Sequence, residues 1–142
     1  MQLRLREIAE AWEKSGDVRG EHLRFLGDIS GIEVFGDLVM VMSFAERTKT
    51  GGGIILTDQT HEEARFQGKS GLVVAVGPQA FVDDARATFA GQSVQPGDWV
   101  MTRPSDGLEF AKVCDDQRGA VTLRLFRDVH IQAKLADPRL VW

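Results

Sequence analysis

The chain has 142 residues, a length that supports one hydrophobic core rather than two. Hydrophobic residues make up 43% and charged residues 27%, a balance that excludes a disordered or fibrous chain. The formal net charge is -4, and no cluster of lysines or arginines builds the basic face that nucleic-acid phosphates require. No apolar run approaches the ~20 residues that span a bilayer, and charges stand at the N-terminus where a signal peptide is apolar. A cytoplasmic protein is therefore expected. Cys114 is the one cysteine, so neither an internal disulfide nor a cysteine metal site can form. It reads as a packed strand residue rather than a reactive thiol.

Taken in chain order, the first element is helical. Leu5, Ile8, Ala9 and Trp12 recur at helical spacing, with Arg6, Glu7, Glu10 and Glu13 on the other face. Ser15-Gly16-Asp17 ends this helix, and Asp17 caps a second one carrying Val18, Leu23, Phe25 and Leu26 before Gly27. Isolated helices below about 12 to 15 residues are marginal in water, so this pair must pack on the rest of the chain, on a neighbouring subunit or on another protein. Residues 1–31 are read as an extension to a domain at 32–142. Deleting residues 1–30 is expected to leave that domain folded.

Asp37-Leu38-Val39-Met40-Val41 alternates as a strand does. Thr48-Lys49-Thr50-Gly51-Gly52-Gly53-Ile54-Ile55-Leu56 then sets three large aliphatics directly behind a glycine run, with mostly polar residues following up to Gly71. Glycine costs the most entropy to order. The triplet is either the start of a strand after a glycine turn or an apolar tether for a partner's groove. Gly71-Leu72-Val73-Val74-Ala75-Val76-Gly77 reads as a fully buried strand. An excursion follows with Pro78, Asp83-Asp84, Gly91 and Pro96, and Pro96-Gly97 turns the chain into a strand at Trp99-Val100-Met101. Beyond a glycine turn at Ser105-Asp106-Gly107, Val121-Thr122-Leu123 reads as a further strand, followed by Phe126-Arg127-Asp128-Val129.

Enzymatic chemistry finds little support in these residues. His22, His61 and His130 are scattered and read as surface residues; His61-Glu62-Glu63 lacks the second histidine of a metalloprotease helix. Asp83-Asp84 and Asp115-Asp116 are adjacent pairs, which on a strand point to opposite faces and do not form an acid-base couple. Gly51-Gly52-Gly53 is not followed by the Gly-Lys-Ser/Thr of a phosphate loop. No catalytic residue, cofactor or metal is expected.

Four segments in order resemble a GroES-type co-chaperonin of the ten-kilodalton chaperonin family. They are the strand with Asp37, Val39 and Val41, the Thr48–Leu56 loop, the Gly71–Gly77 strand, and the turn and strand from Val94 to Val100. The resemblance covers roughly residues 32 to 135. It departs from the family in the helical extension, in a long polar stretch from Thr57 to Ser70, and in the absence of tyrosine, a drift that a viral homologue tolerates.

The resemblance implies a mainly β protein: a small GroES-like β-barrel with a β-hairpin roof at 77–98 and a mobile loop at 48–70, assembled as a homo-oligomeric ring, in the family a heptamer. An open barrel has edge strands that a ring interface can cover. The strands near Asp37 and near Val121 or Val129 are the expected partners across that interface. It further implies that Gly52, Gly53, Ile54, Ile55 and Leu56 bind a large, nucleotide-loaded chaperonin ring, which the protein caps to assist folding. Each buried aliphatic contributes roughly 1.5 to 3 kcal/mol, while ordering the loop costs about 1 to 2 kcal/mol per residue. One loop binds weakly, and several on one ring bind tightly. The alternative is a structural component of a virion or other assembly that reuses the fold as a capsid decoration or head-tail ring. The helical extension, which has no part in a lid mechanism, favours it.

Overall fold

The computed structural model describes residues 11–12, 14–44, 69–83, 85–113 and 120–138. Its centre is one antiparallel sheet of six strands: β1 (Leu38–Ser43), β2 (Ser70–Val76), β3 (Trp99–Met101), β4 (Leu108–Val113), β5 (Ala120–Arg127) and β6 (Ala133–Leu135). Their spatial order is β4-β5-β1-β2-β3-β6. The protein is mainly β, as expected. Among the described residues the ladder is open, with β4 and β6 at its edges.

That order bears on part of the expected ring contacts: it sets Val39 and Val121 inside the sheet, whereas Val129 follows β5 and is exposed. β1 lies in the middle, paired with β5 on one side and β2 on the other, and β5 is itself held between β4 and β1. Backbone groups near Val39 and Val121 are thus already spent on intrachain ladders. Each edge carries a lysine, Lys112 on β4 and Lys134 on β6, and charge at an edge discourages indiscriminate strand pairing.

Four successive residues of β1, Val39 to Met42, are buried, because both faces of the sheet are covered. The expected alternation of exposure is absent for that reason, and the continuous apolar runs of β1 and β2 suit a doubly covered sheet. On one face Met40, Met42, Leu72, Val74, Trp99, Val121 and Leu123 form a cluster with Leu23, Leu26 and Ile29. On the other, Val39, Val41, Val73, Val100 and Phe126 pack with Val94, Ala80 and Phe81. Between Met40 and Val41 the register with β2 shifts, so that Val74 is an extra residue opposite the β1 chain. This bulge keeps Val73 and Val41 on one face while Ala75 pairs with Met40. Both ends of β2 need glycine: a side chain at Gly71 would meet Val41 and the Met42 carbonyl, and one at Gly77 would meet the Gly36 and Phe35 carbonyls.

The first face is covered by helix α1 (Val18–Leu26). Both of its ends follow the expected caps. The Asp17 carboxylate accepts from the Arg19 amide at 2.9 Å, and Gly27 closes the C-terminus with its amide donating to the Leu23 carbonyl at 3.1 Å. Lys112 Nζ of β4 donates to the Leu26 carbonyl at 2.7 Å, placing a cation at the negative end of the helix dipole. The Arg19 guanidinium bonds the Asp17 carboxylate, caps the Trp12 ring at 4.0 Å, and donates to the Gly97 carbonyl at 3.1 Å. Its hydrogen bond is the main reason that Asp17 sits below the usual carboxylate range. The extension therefore shares one core with the sheet, across the boundary at residue 31 that the sequence suggests.

The second face is covered by residues 78–98, whose described backbone makes successive turns and no strand. The expected β-hairpin is not seen in it. Buried Asp128 accepts from the Phe81 amide at 3.0 Å, which holds Phe81 in a left-handed conformation at φ 60°. The Asp83 carboxylate closes the next turn, accepting from the amides of Phe89 at 2.6 Å and Gly91 at 2.8 Å. The Gly91 hydrogen bond is the leading cause that lowers its pKa from the ordinary value.

Candidate functional site

The long Thr48–Leu56 segment and its polar continuation join β1 to β2, so the sheet itself decides where they leave and return. Ser43 pairs with Gly71, and the Phe44 amide donates to the Ser70 carbonyl at 3.2 Å. The two ends are thus neighbours at one end of a central strand pair. β3 secures the returning end: Ser70 pairs with Met101, and the Thr102 amide donates to the Lys69 carbonyl at 2.8 Å.

The departing end is held by side chains. The Phe44 ring stacks on His22 of α1, with centroids 5.6 Å apart and an interplanar angle of 11°. It meets the Trp99 ring edge-on at 5.6 Å, and His22 meets the same Trp99 edge-on at 5.4 Å. Three rings from three elements thus close on one another beside the root of the segment. His22 is fully buried, which corrects the expectation of a surface histidine. Its signal in the sequence was its place one residue before Leu23 on a helix that packs inward, but a lone polar residue does not disclose which neighbours will enclose it.

The residues expected to bind a partner, Gly52, Gly53, Ile54, Ile55 and Leu56, lie outside the described residues, as do His61, Asp84, Cys114, Asp115 and Asp116. Asp83 serves its own turn, as described above. His130 ends a 3-10 turn (Asp128–His130) after β5. Among the described residues no group of three His, Cys, Asp or Glu side chains is placed to hold a metal ion. No described helix is long and apolar enough to cross a membrane.

A small antiparallel β domain with a long connection between two central strands is the class that the described residues define. The sequence model of the Chaperonin 10 Kd subunit family matches residues 31–124, and the chain belongs to that family. A search of curated proteins finds no match. Membership implies a co-chaperonin in general terms, a regulator rather than an enzyme, with a large chaperonin as its partner and a ring as its form. The match begins after α1 and ends within β5. The helix on one side, and Phe126, Asp128 and β6 on the other, complete the fold from outside it.

Proposed function

We propose that this protein caps a large ATP-dependent chaperonin as a homo-oligomeric ring and that Gly52, Gly53, Ile54, Ile55 and Leu56 make the contact. The observation that carries this reading is the origin of residues 48–70. They connect adjacent strands whose ends are fastened by the Phe44–Ser70 and Thr102–Lys69 hydrogen bonds, so a partner gripping the segment pulls on the rigid middle of the sheet. The glycines let the backbone follow a groove, and the aliphatic triplet supplies the apolar area. Several such segments on one ring make weak individual contacts strong together.

Ring closure by a head-to-tail contact requires two unlike surfaces on each protomer. The two edges of the described sheet meet that need. β4 exposes Leu108 and Val113, at 65% and 64%, and β6 is short and carries Lys134. A heptamer is the family's arrangement, and a cytoplasmic location suits a partner that folds newly made chains.

The test is Ile55→Asp in the full chain. Capping should be abolished, because a carboxylate enters an apolar groove only at a heavy desolvation cost, while melting temperature and oligomer mass stay unchanged. Unfolding of this variant would show that the triplet is core. A second reading, a structural ring in a virion or other assembly, is favoured by α1, which is built into the core although the family match excludes it. Native mass spectrometry separates the two: a heptamer that binds a chaperonin supports the lid, and a ring of another order without chaperonin binding supports the structural role. A stable monomer would sink both.

A further inference from the structure

We infer that α1 is a positioning element for the partner-binding segment, acting through the His22–Phe44–Trp99 ring cluster; the inference rests on the reading of residues 48–70 given above. Phe44 directly follows β1, at the root of that segment, and its two ring neighbours come from elements that are themselves fastened together. Arg19 ties α1 to the Gly97 carbonyl just ahead of β3, and β3 supplies both Trp99 on the departing side and Thr102 on the returning side. Helix, β3 and both roots form one frame.

Burial alone does not explain a histidine at position 22. Leu23 and Leu26 provide the apolar contacts of α1, and a fully buried imidazole requires its polar atoms to be satisfied, a demand that a leucine of similar size does not make. What the imidazole adds is a flat ring parallel to Phe44, with its edge contact to Trp99 defining the tilt. Aromatic pairs have preferred geometries, so the cluster specifies an orientation as well as a contact. Fixing Phe44 in this way pre-sets the backbone at the end of β1, from which the segment departs, and such pre-organisation favours binding. His22 is a positioning residue and touches no partner in this scheme.

Amide hydrogen exchange on the full chain tests this, with wild type compared with His22→Leu and His22→Phe. The expected result for His22→Leu is exchange about tenfold faster at the Phe44 and Thr102 amides, with the Leu38 and Gly77 amides at the opposite end of β1 and β2 unchanged. His22→Phe should restore most of the protection. Equal acceleration at both ends would show that His22 only stabilises the core, and unchanged Phe44 and Thr102 amides in a folded variant would remove the positioning role; either result overturns the inference. Should His22→Leu fail to fold, Phe44→Ala, which removes a half-buried ring, must show the same localised pattern. A purified bacterial large-subunit chaperonin with ATP provides the second arm. His22→Leu should bind it several-fold more weakly than wild type, and wild-type affinity in that variant would overturn the link to binding. If wild type itself fails to bind, the proposed function fails, while the exchange pattern still decides whether His22 positions the root.

Discussion

The two covers of the sheet are built in opposite ways. α1 and the residues just after it hold their face through side chains: Leu23, Leu26 and Ile29 are buried against the sheet, and His22 is enclosed between rings. Residues 78–98 hold the other face with few apolar anchors, Val94 being the one buried apolar side chain among their described residues, and rely on hydrogen bonds from backbone to backbone and to two carboxylates. Gln79 donates to Gly36, Gly97 to Val73, and Val73 to Asp98. A cover made of side chains is sensitive to volume. One made of backbone bonds is sensitive to loss of the few groups that anchor it and indifferent to most of its own side chains.

Removing a whole cover should give the largest effect. Deleting residues 1–30 strips Leu23, Leu26 and Ile29 from the face formed by Met40, Met42, Leu72 and Leu123. At roughly 1.5 to 3 kcal/mol for each buried side chain, the loss rivals the ~5 to 15 kcal/mol that stabilises a typical domain. Loss of cooperative thermal unfolding by circular dichroism is expected, in contrast to the survival that the sequence pattern suggests. A truncated protein that melts cooperatively would show that the sheet stands without its helical cover.

Within that cover, Leu26→Ala should cost about 2 to 5 kcal/mol in urea unfolding, since the side chain is almost wholly buried and leaves a cavity. Phe35→Ala, at an exposed side chain outside both covers, is the control and should shift stability little. For the second cover, Asp128→Ala strips the Phe81 amide of its acceptor inside the fold, with an expected cost of about 1 to 3 kcal/mol. Replacing exposed Val82 with serine should change almost nothing. Equal effects from the two substitutions would erase the distinction between a bonded and a packed cover.

The smallest effect concerns Asp17. Its folded pKa is depressed, chiefly by the Arg19 hydrogen bond, so the carboxylate contributes stability above its unfolded pKa and loses that contribution as pH falls through the lower folded value. Asp17→Ala should cost about 0.5 to 2 kcal/mol at neutral pH. The difference from wild type should narrow in acid, below the ordinary carboxylate range. Urea titrations at neutral pH and at successively lower pH check the sign, and a gap that widens in acid would contradict it.

Much of this architecture could be read from local pattern. β1, β2 and β3 stand where the apolar runs and the Pro96-Gly97 turn place them, and α1 runs between its expected Asp17 and Gly27 caps. β4 escaped notice because it is an edge strand whose Leu108 and Val113 face solvent, which blurs the alternation that marks a half-buried strand. β6 is three residues long and carries almost no pattern. The candidate binding residues were legible for a different reason: Gly52 to Leu56 juxtapose two residue types that ordinary loops keep apart, and their chemistry does not depend on where the rest of the chain lies.

By itself the sequence determined the family, the four inner strands and the helix with its caps, because each rests on residues close together in the chain. Tertiary structure alone decided which strands are edges, that both sheet faces are covered, and that His22 is enclosed against Phe44 and Trp99. These depend on contacts between residues far apart in the chain, such as His22 with Trp99 and Leu38 with Arg127. A strand pattern states that a face will be buried, but what buries it is settled by whichever distant segment the packed sheet brings within reach.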